Sequence, residues 1–131
     1  MANKENIQKW VDALRSGKYK QTTGTLSLDG SFCCLGVACD ISGIGEWDSG
    51  VLENETVDYI TVDKNGNTQF DDSILPTNIS EWLGTATCNP VLDIGDEESC
   101  EATELNDTMH YTFDEIADAI ERTYLNEDQS N

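Results

Sequence analysis

Residues 31–40 read SFCCLGVACD and hold three of the chain's five cysteines within seven positions. The apolar residues form two stripes of a helix, with Phe32, Leu35, Gly36 and Cys39 on one and Cys34, Val37, Ala38 and Ile41 on the other. A helix that is apolar round most of its circumference belongs in a core. The sequence therefore predicts a buried helix over residues 32–41, which Ser31 can cap.

A first helix is predicted over residues 3–16. Its apolar side chains follow the spacing i, i+3, i+4 and i+7 of an amphipathic helix, at Ile7, Trp10, Val11 and Leu14. Asn3 is placed to cap this helix and Gly17 to end it.

Two more helices are predicted in the second half of the chain. The run LPTNISEWLG (75–84) indicates a short helix that begins near Pro76. A closing helix extends to about Tyr124, and Thr112 with Glu115 would form a capping box at its start.

Strand signals lie between the helices. The run KYKQTTGTLSL (18–28) predicts one strand that closes at the Asp-Gly turn of residues 29–30. Strands at 56–62 and 67–70 would form a hairpin round the Asn-Gly pair at 65–66. We expect an α+β fold, a single small domain over residues 1–125 with about four helices packed on a small antiparallel β-sheet.

The remaining segments are acidic. Residues 85–107 are predicted to be an irregular, solvated loop, and residues 126–131 a flexible acidic tail. The whole chain of 131 residues has 26 acidic and 7 basic side chains, a formal net charge of −19. This charge repels phosphates, so direct binding to nucleic acid or to an anionic membrane is not expected.

The chain has no apolar run long enough to span a membrane and no signal-peptide pattern in MANKENIQKW. Its cysteines are odd in number and two are adjacent, which is typical of thiols in a reducing compartment. The predicted location is therefore the cytoplasm.

The cysteine run raises two chemical hypotheses. At about 100° per helical residue the three thiols point in different directions, so we expect no metal site. A thiol of Cys33 or Cys34 in the first turn of a helix could have a lowered pKa and act as a nucleophile. His110 is the only histidine, and the sequence does not place it near either thiol. The alternative is that the cysteines only fill the core.

A basic segment, RSGKYKQTTGT (15–25), is the stronger candidate for a site, since five of the seven cations lie in the first twenty residues. Cations, hydroxyls, amides and aromatic rings suit a phosphate-bearing small molecule. The predicted ligand-binding set is Arg15, Lys18, Tyr19, Lys20, Gln21, Thr22, Thr23 and Trp47, with Tyr19 or an exposed Trp47 stacking on a base. The alternative is that these cations lie against the protein's own acidic surface.

Two tryptophans, one aspartate and one polar run are also distinctive in the sequence. Trp10 and Trp82 lie on apolar helix faces and are predicted to be core residues. Asp40 is the first charge after the buried run, so it should have a specific partner. The run DKNGNTQF (63–70) resembles a calcium loop, but Thr68 stands where glycine is needed, and we expect no calcium site there.

Four runs of the sequence resemble a family of small bacteriophage and prophage accessory proteins: WVDALRSGKYKQTTGTL, FCCLGVACD, LPTNISEWLG and LNDTMHYTFDEIADAIE. The resemblance implies a phage accessory protein, and such proteins often disarm host immunity. It supplies no catalytic residues and no cofactor. It also makes the host cell cytoplasm the expected location.

Three functional hypotheses follow. In the first, the protein sequesters a small anionic, nucleotide-derived immune signal without chemistry, and it could do so as a homo-oligomer. In the second, it is an acidic DNA mimic or protein inhibitor that blocks a host defence nuclease. In the third, it is a cysteine-dependent hydrolase of a nucleotide signal.

Overall fold

A computed structural model describes residues 2–48 and 55–125. Five α-helices lie within them: α1 (Lys4–Arg15), α2 (Cys34–Ser42), α3 (Thr77–Leu83), α4 (Ala102–Asp107) and α5 (Phe113–Ile120). A π-helical turn, Glu121–Leu125, continues α5. The strands are β1 (Lys20–Gln21), β2 (Ser27–Leu28), β3 (Ser31–Phe32), β4 (Glu46–Trp47), β5 (Tyr59–Val62), β6 (Thr68–Asp71), β7 (Val91–Gly95) and β8 (Glu98–Glu101). The predicted acidic tail lies outside the described residues.

The strands form three small sheets. One has the order β1-β3-β2, with β1 parallel and β2 antiparallel to β3. The second is antiparallel with the order β4-β5-β6, and the third is the β7-β8 hairpin. The α+β fold is confirmed, although the single sheet is replaced by three small ones. No helix among the described residues is long and apolar enough to cross a membrane.

The buried helix α2 is the centre of the core, as predicted. Its residues Cys34 to Cys39 are all buried, and the indole Nε1 of Trp10 in α1 donates to the Cys34 carbonyl at 2.9 Å. The expected start was wrong: Ser31 does not cap the helix, because Ser31 and Phe32 pair with β1 and β2. The chain stays extended through Cys33, whose Sγ accepts from the Gly36 N–H at 3.4 Å and caps α2 instead.

The starts predicted for the other helices from their capping residues are confirmed. The Asn3 side chain accepts from Asn6 N at 3.1 Å, and the predicted apolar stripe of α1 is buried. Thr112 and Glu115 make both bonds of the capping box. Helix α3 begins after Pro76 and ends at a left-handed Gly84, so each of these helices has the start that its sequence indicates.

Two predictions about irregular and extended segments were wrong. The strand expected over residues 18–28 is divided into β1 and β2, with Gly24 at φ 80° between them. From residue 91 onward, the acidic stretch 85–107 forms the β7-β8 hairpin followed by α4. Its apolar residues Leu92 and Leu105 are fully buried, so burial orders this stretch despite its many carboxylates.

Candidate functional site

Arg15, the first cation of the basic segment, is held by acidic side chains of the same chain. Arg15 donates from Nη1 to Glu121 Oε2 at 2.8 Å and from Nη2 to Asp118 Oδ1 at 2.5 Å. The Arg15 hydrogen bonds hold the pKa of Glu121 below its ordinary value, and Glu121 raises that of Arg15 further. The guanidinium is therefore neutralised within the protein, which agrees with the alternative that the sequence left open.

Two polar residues of the segment tie it to the core. Gln21 Nε2 donates to Asn106 Oδ1 and to the Tyr111 carbonyl, both at 2.8 Å. The buried Asn106 in turn donates from Nδ2 to the Thr22 carbonyl at 2.8 Å. Gln21 and the backbone of Thr22 thus position β1 on the core.

The structure brings Tyr19 and Trp47 together around Asp40. The Tyr19 hydroxyl donates to Asp40 Oδ2 at 2.5 Å and Trp47 Nε1 to Asp40 Oδ1 at 3.0 Å, so the partner expected for Asp40 is confirmed. Both rings contact Phe32 edge-on, with centroids 5.3 and 5.4 Å away, and Trp47 also packs on Tyr59. Trp47 is half-buried rather than exposed, because these rings and Asp40 enclose it. Of the other tryptophans, Trp10 is fully buried, whereas Trp82 is only half-buried.

The side chains of Lys18, Lys20 and Thr23 are exposed and remain the accessible part of the predicted set. A cleft of about 240 Å³ opens nearby, between the end of α1 and the start of α5, and Arg15, Tyr19 and Asp114 are among its lining residues. Because the guanidinium is already paired and a carboxylate lines the cleft, this place gives a phosphate little electrostatic attraction.

The three thiols of the cysteine run are buried, and their pKa values are raised rather than lowered. Burial raises the pKa of Cys33 to about 11 and holds those of Cys34 and Cys39 well above the ordinary thiol value. The lowered pKa expected at the start of α2 was therefore wrong, because desolvation outweighs the hydrogen bonds from the first turn. Within residues 2–48 and 55–125, no group of three His, Cys, Asp or Glu side chains could hold a metal ion.

Alkylation should separate the cysteines by burial. We expect iodoacetamide to label the partly exposed Cys88 and Cys100 of the native protein first, and to leave the thiols of Cys33, Cys34 and Cys39 unmodified. Peptide mass spectrometry measures the sites, and labelling in denaturant is the control in which all five react. Rapid labelling of native Cys33 would restore the nucleophile hypothesis.

A second cleft, which we call the hairpin cleft, lies between the β5-β6 hairpin and α3. Its volume is about 320 Å³, and its lining includes Thr61, Asp63, Lys64, Gln69, Asn78 and Glu81. The cleft forms where the strongly indicated Asn-Gly hairpin and the short helix after Pro76 approach one another.

Two buried oxygens of the hairpin cleft have no partner among the described residues. Thr61 is only 2% exposed, and its Oγ1 makes no hydrogen bond. Asn78 Oδ1 is also buried and unpaired, whereas the Nδ2 of the same amide donates to the Val62 carbonyl at 3.2 Å. Buried polar atoms in proteins are nearly always hydrogen-bonded, so two unpaired oxygens on residues that line one cleft make this cleft the candidate site.

Asp63 holds the hairpin turn that borders the hairpin cleft. Its Oδ1 accepts the N–H groups of Asn65 and Asn67 at 2.9 Å, and its Oδ2 accepts from Gln69 Nε2 at 3.1 Å. These bonds lower the pKa of Asp63, so the carboxylate stays ionised. The same residues are those that resemble a calcium loop in sequence, and here they close a hairpin turn.

Sequence reasoning missed the hairpin cleft. It had placed Thr61 in a strand and Asn78 in a helix, but an unpaired hydroxyl has no signature in a single sequence. The sequence signal in this region is the polar run 63–70, whose departures from a calcium loop give no reason to expect a site.

No curated protein and no solved structure matches the chain. One family model does match, over residues 2–124, which is nearly the whole of the described chain. The protein therefore belongs to the family described as Domain of unknown function (DUF8296).

Proposed function

We propose that the protein is a binding protein that captures a small ligand in the hairpin cleft without covalent chemistry. In the phage setting that the sequence resemblance implies, capture in the host cytoplasm would withhold a small signal molecule from a defence system. The observation that supports this proposal is the pair of buried, unpaired oxygens, Thr61 Oγ1 and Asn78 Oδ1.

The two unpaired oxygens destabilise the empty protein. A buried polar group without a partner lowers stability by roughly 1–3 kcal/mol. A valine has nearly the shape of threonine, so residue 61 could fill the same space without that cost. A hydroxyl at this position is reasonable if a ligand completes its hydrogen bonds.

The other two hypotheses have less support. A thiol hydrolase needs an ionisable nucleophile, and the thiols of α2 are buried with raised pKa values. The acidic inhibitor draws on the exposed carboxylates of the β7-β8 hairpin and α5, such as Glu97, Glu98 and Asp118. Exposed carboxylates are also what a solvated surface requires, so they favour no particular partner.

We expect Thr61→Val to raise the free energy of unfolding by about 1 kcal/mol, because it removes the unpaired hydroxyl. The same substitution should abolish ligand capture. The matched control is Thr25→Val, because the buried Thr25 Oγ1 donates to the Asp72 carbonyl at 2.9 Å and its loss should destabilise the protein. Urea unfolding measures both variants.

Capture itself is tested with the full chain and a mixture of cyclic nucleotides, ADP-ribose derivatives and small organic amines. After gel filtration the protein is heated and the released molecules are identified by mass spectrometry. Recovery of an intact ligand from the wild type, and none from Thr61→Val, is the expected result. A chemically altered ligand would support the hydrolase, and equal recovery from both proteins would place the site elsewhere.

A further inference from the structure

The hydrogen-bonding needs of the hairpin cleft point to one class of ligand. Asn78 uses its Nδ2 on the Val62 carbonyl, so its free Oδ1 is an acceptor only. A ligand must therefore bring an N–H or O–H donor to this atom. A phosphate dianion has acceptor oxygens only and cannot satisfy it.

The charges of the cleft lead to the same conclusion. Two carboxylates, Asp63 and Glu81, line it against the single ammonium of Lys64. The chain as a whole has a net charge of −19, which concentrates cations and repels anions at its surface. An anionic ligand would have to overcome both the local and the overall charge.

Resting on the proposed function, we propose that the hairpin cleft binds a small organic amine. Its ammonium group donates to Asn78 Oδ1 and Thr61 Oγ1, and Glu81 and Asp63 balance its positive charge. An ammonium suits this place because it has three N–H donors, enough to reach both oxygens. The inference replaces the phosphate of the sequence hypothesis with a cation as the recognised group.

The experiment compares three probes by isothermal titration calorimetry on the full chain at 150 mM salt. Putrescine carries two ammonium groups, 1,4-butanediol carries hydroxyls on the same carbon chain, and adenosine monophosphate carries a phosphate. We expect putrescine to bind with a stoichiometry of one, the diol at least tenfold more weakly, and the nucleotide not at all. Equal or tighter binding of the diol or the nucleotide would overturn the inference.

Variants separate a specific site from general attraction to an acidic protein. Glu81→Gln should weaken putrescine binding at least tenfold, whereas Glu98→Gln, an equal change of charge at an exposed position in β8, should leave it unchanged. Asn78→Leu should also abolish binding. Equal weakening by both glutamine variants, or competition by Ca²⁺ alone at the same site, would contradict the inference.

The outcomes also distinguish the inference from the proposed function. A nucleotide that binds and is lost in Thr61→Val would keep the capture function and exclude the amine. If putrescine does not bind, the amine inference fails, and if Thr61→Val also leaves stability unchanged, the proposed function fails with it.

Discussion

Replacing Gly36 by alanine is expected to lower the free energy of unfolding by about 3 kcal/mol. A Cβ at this position would lie 2.0 Å from the carbonyl oxygen of Leu26 and 2.9 Å from its carbonyl carbon. Both are backbone atoms, so no side chain can rotate to make room. Helix α2 would have to move away from the backbone of Leu26.

That movement would also break a hydrogen bond. The same Leu26 carbonyl accepts from Cys33 N at 3.1 Å, at the residue that caps α2. Because α2 is the centre of the core, its displacement opens contacts with α1 and α4. Urea unfolding followed by tryptophan fluorescence measures the loss, and Trp10 reports directly on α2 through its bond to Cys34.

Gly17→Ala is the matched control for this prediction. Gly17 has φ 78° and no atom within 4 Å of an added Cβ, so alanine there suffers only the backbone strain, about 1 kcal/mol. If the two variants lose equal stability, the close approach of α2 to Leu26 is not what requires glycine at position 36.

Asn106→Leu is expected to cost about 3 kcal/mol. The Asn106 side chain is 1% exposed, and it joins Gln21, the Thr22 carbonyl and Cys34 N in one network. Leucine of similar size would leave those groups buried without this partner, and each loss costs roughly 1–3 kcal/mol, with compensation by the remaining bonds.

A double-mutant cycle tests whether this network acts as a unit. Gln21→Met alone should cost about 1 kcal/mol, since Asn106 keeps its other bonds. Combined with Asn106→Leu it should add little, because the Gln21 amide has already lost one of its two acceptors. Full additivity in urea unfolding would show that the two side chains stabilise the protein independently.

The sequence was most informative where structure depends on neighbours along the chain. The apolar stripes of α1 and α2 predicted their burial, because a helix turns by a constant angle per residue. The caps at Asn3 and Thr112 and the Asn-Gly hairpin were equally predictable, since each involves residues within four positions of one another. The start of α2 was missed by two residues because pairing of Ser31 and Phe32 with two other strands competes with helix formation.

The pairing of side chains in the basic segment could not be predicted from neighbours along the chain. Arg15 is paired with Asp118 and Glu121, and Gln21 with Asn106, across separations of 85 to 106 residues. The sequence determined that cations and amides are concentrated there. It did not determine which of them would pair with distant residues of the folded chain.

The hairpin cleft depends on the tertiary structure alone. By itself, the sequence determined the class of fold, the buried central helix, the acidic charge and the two elements that border the cleft. Only the packing of α3 on the β5-β6 hairpin decided that Thr61 Oγ1 and Asn78 Oδ1 are both buried without partners. The physical reason is that helix and turn preferences act over a few residues, whereas the satisfaction of a buried polar atom depends on everything packed around it.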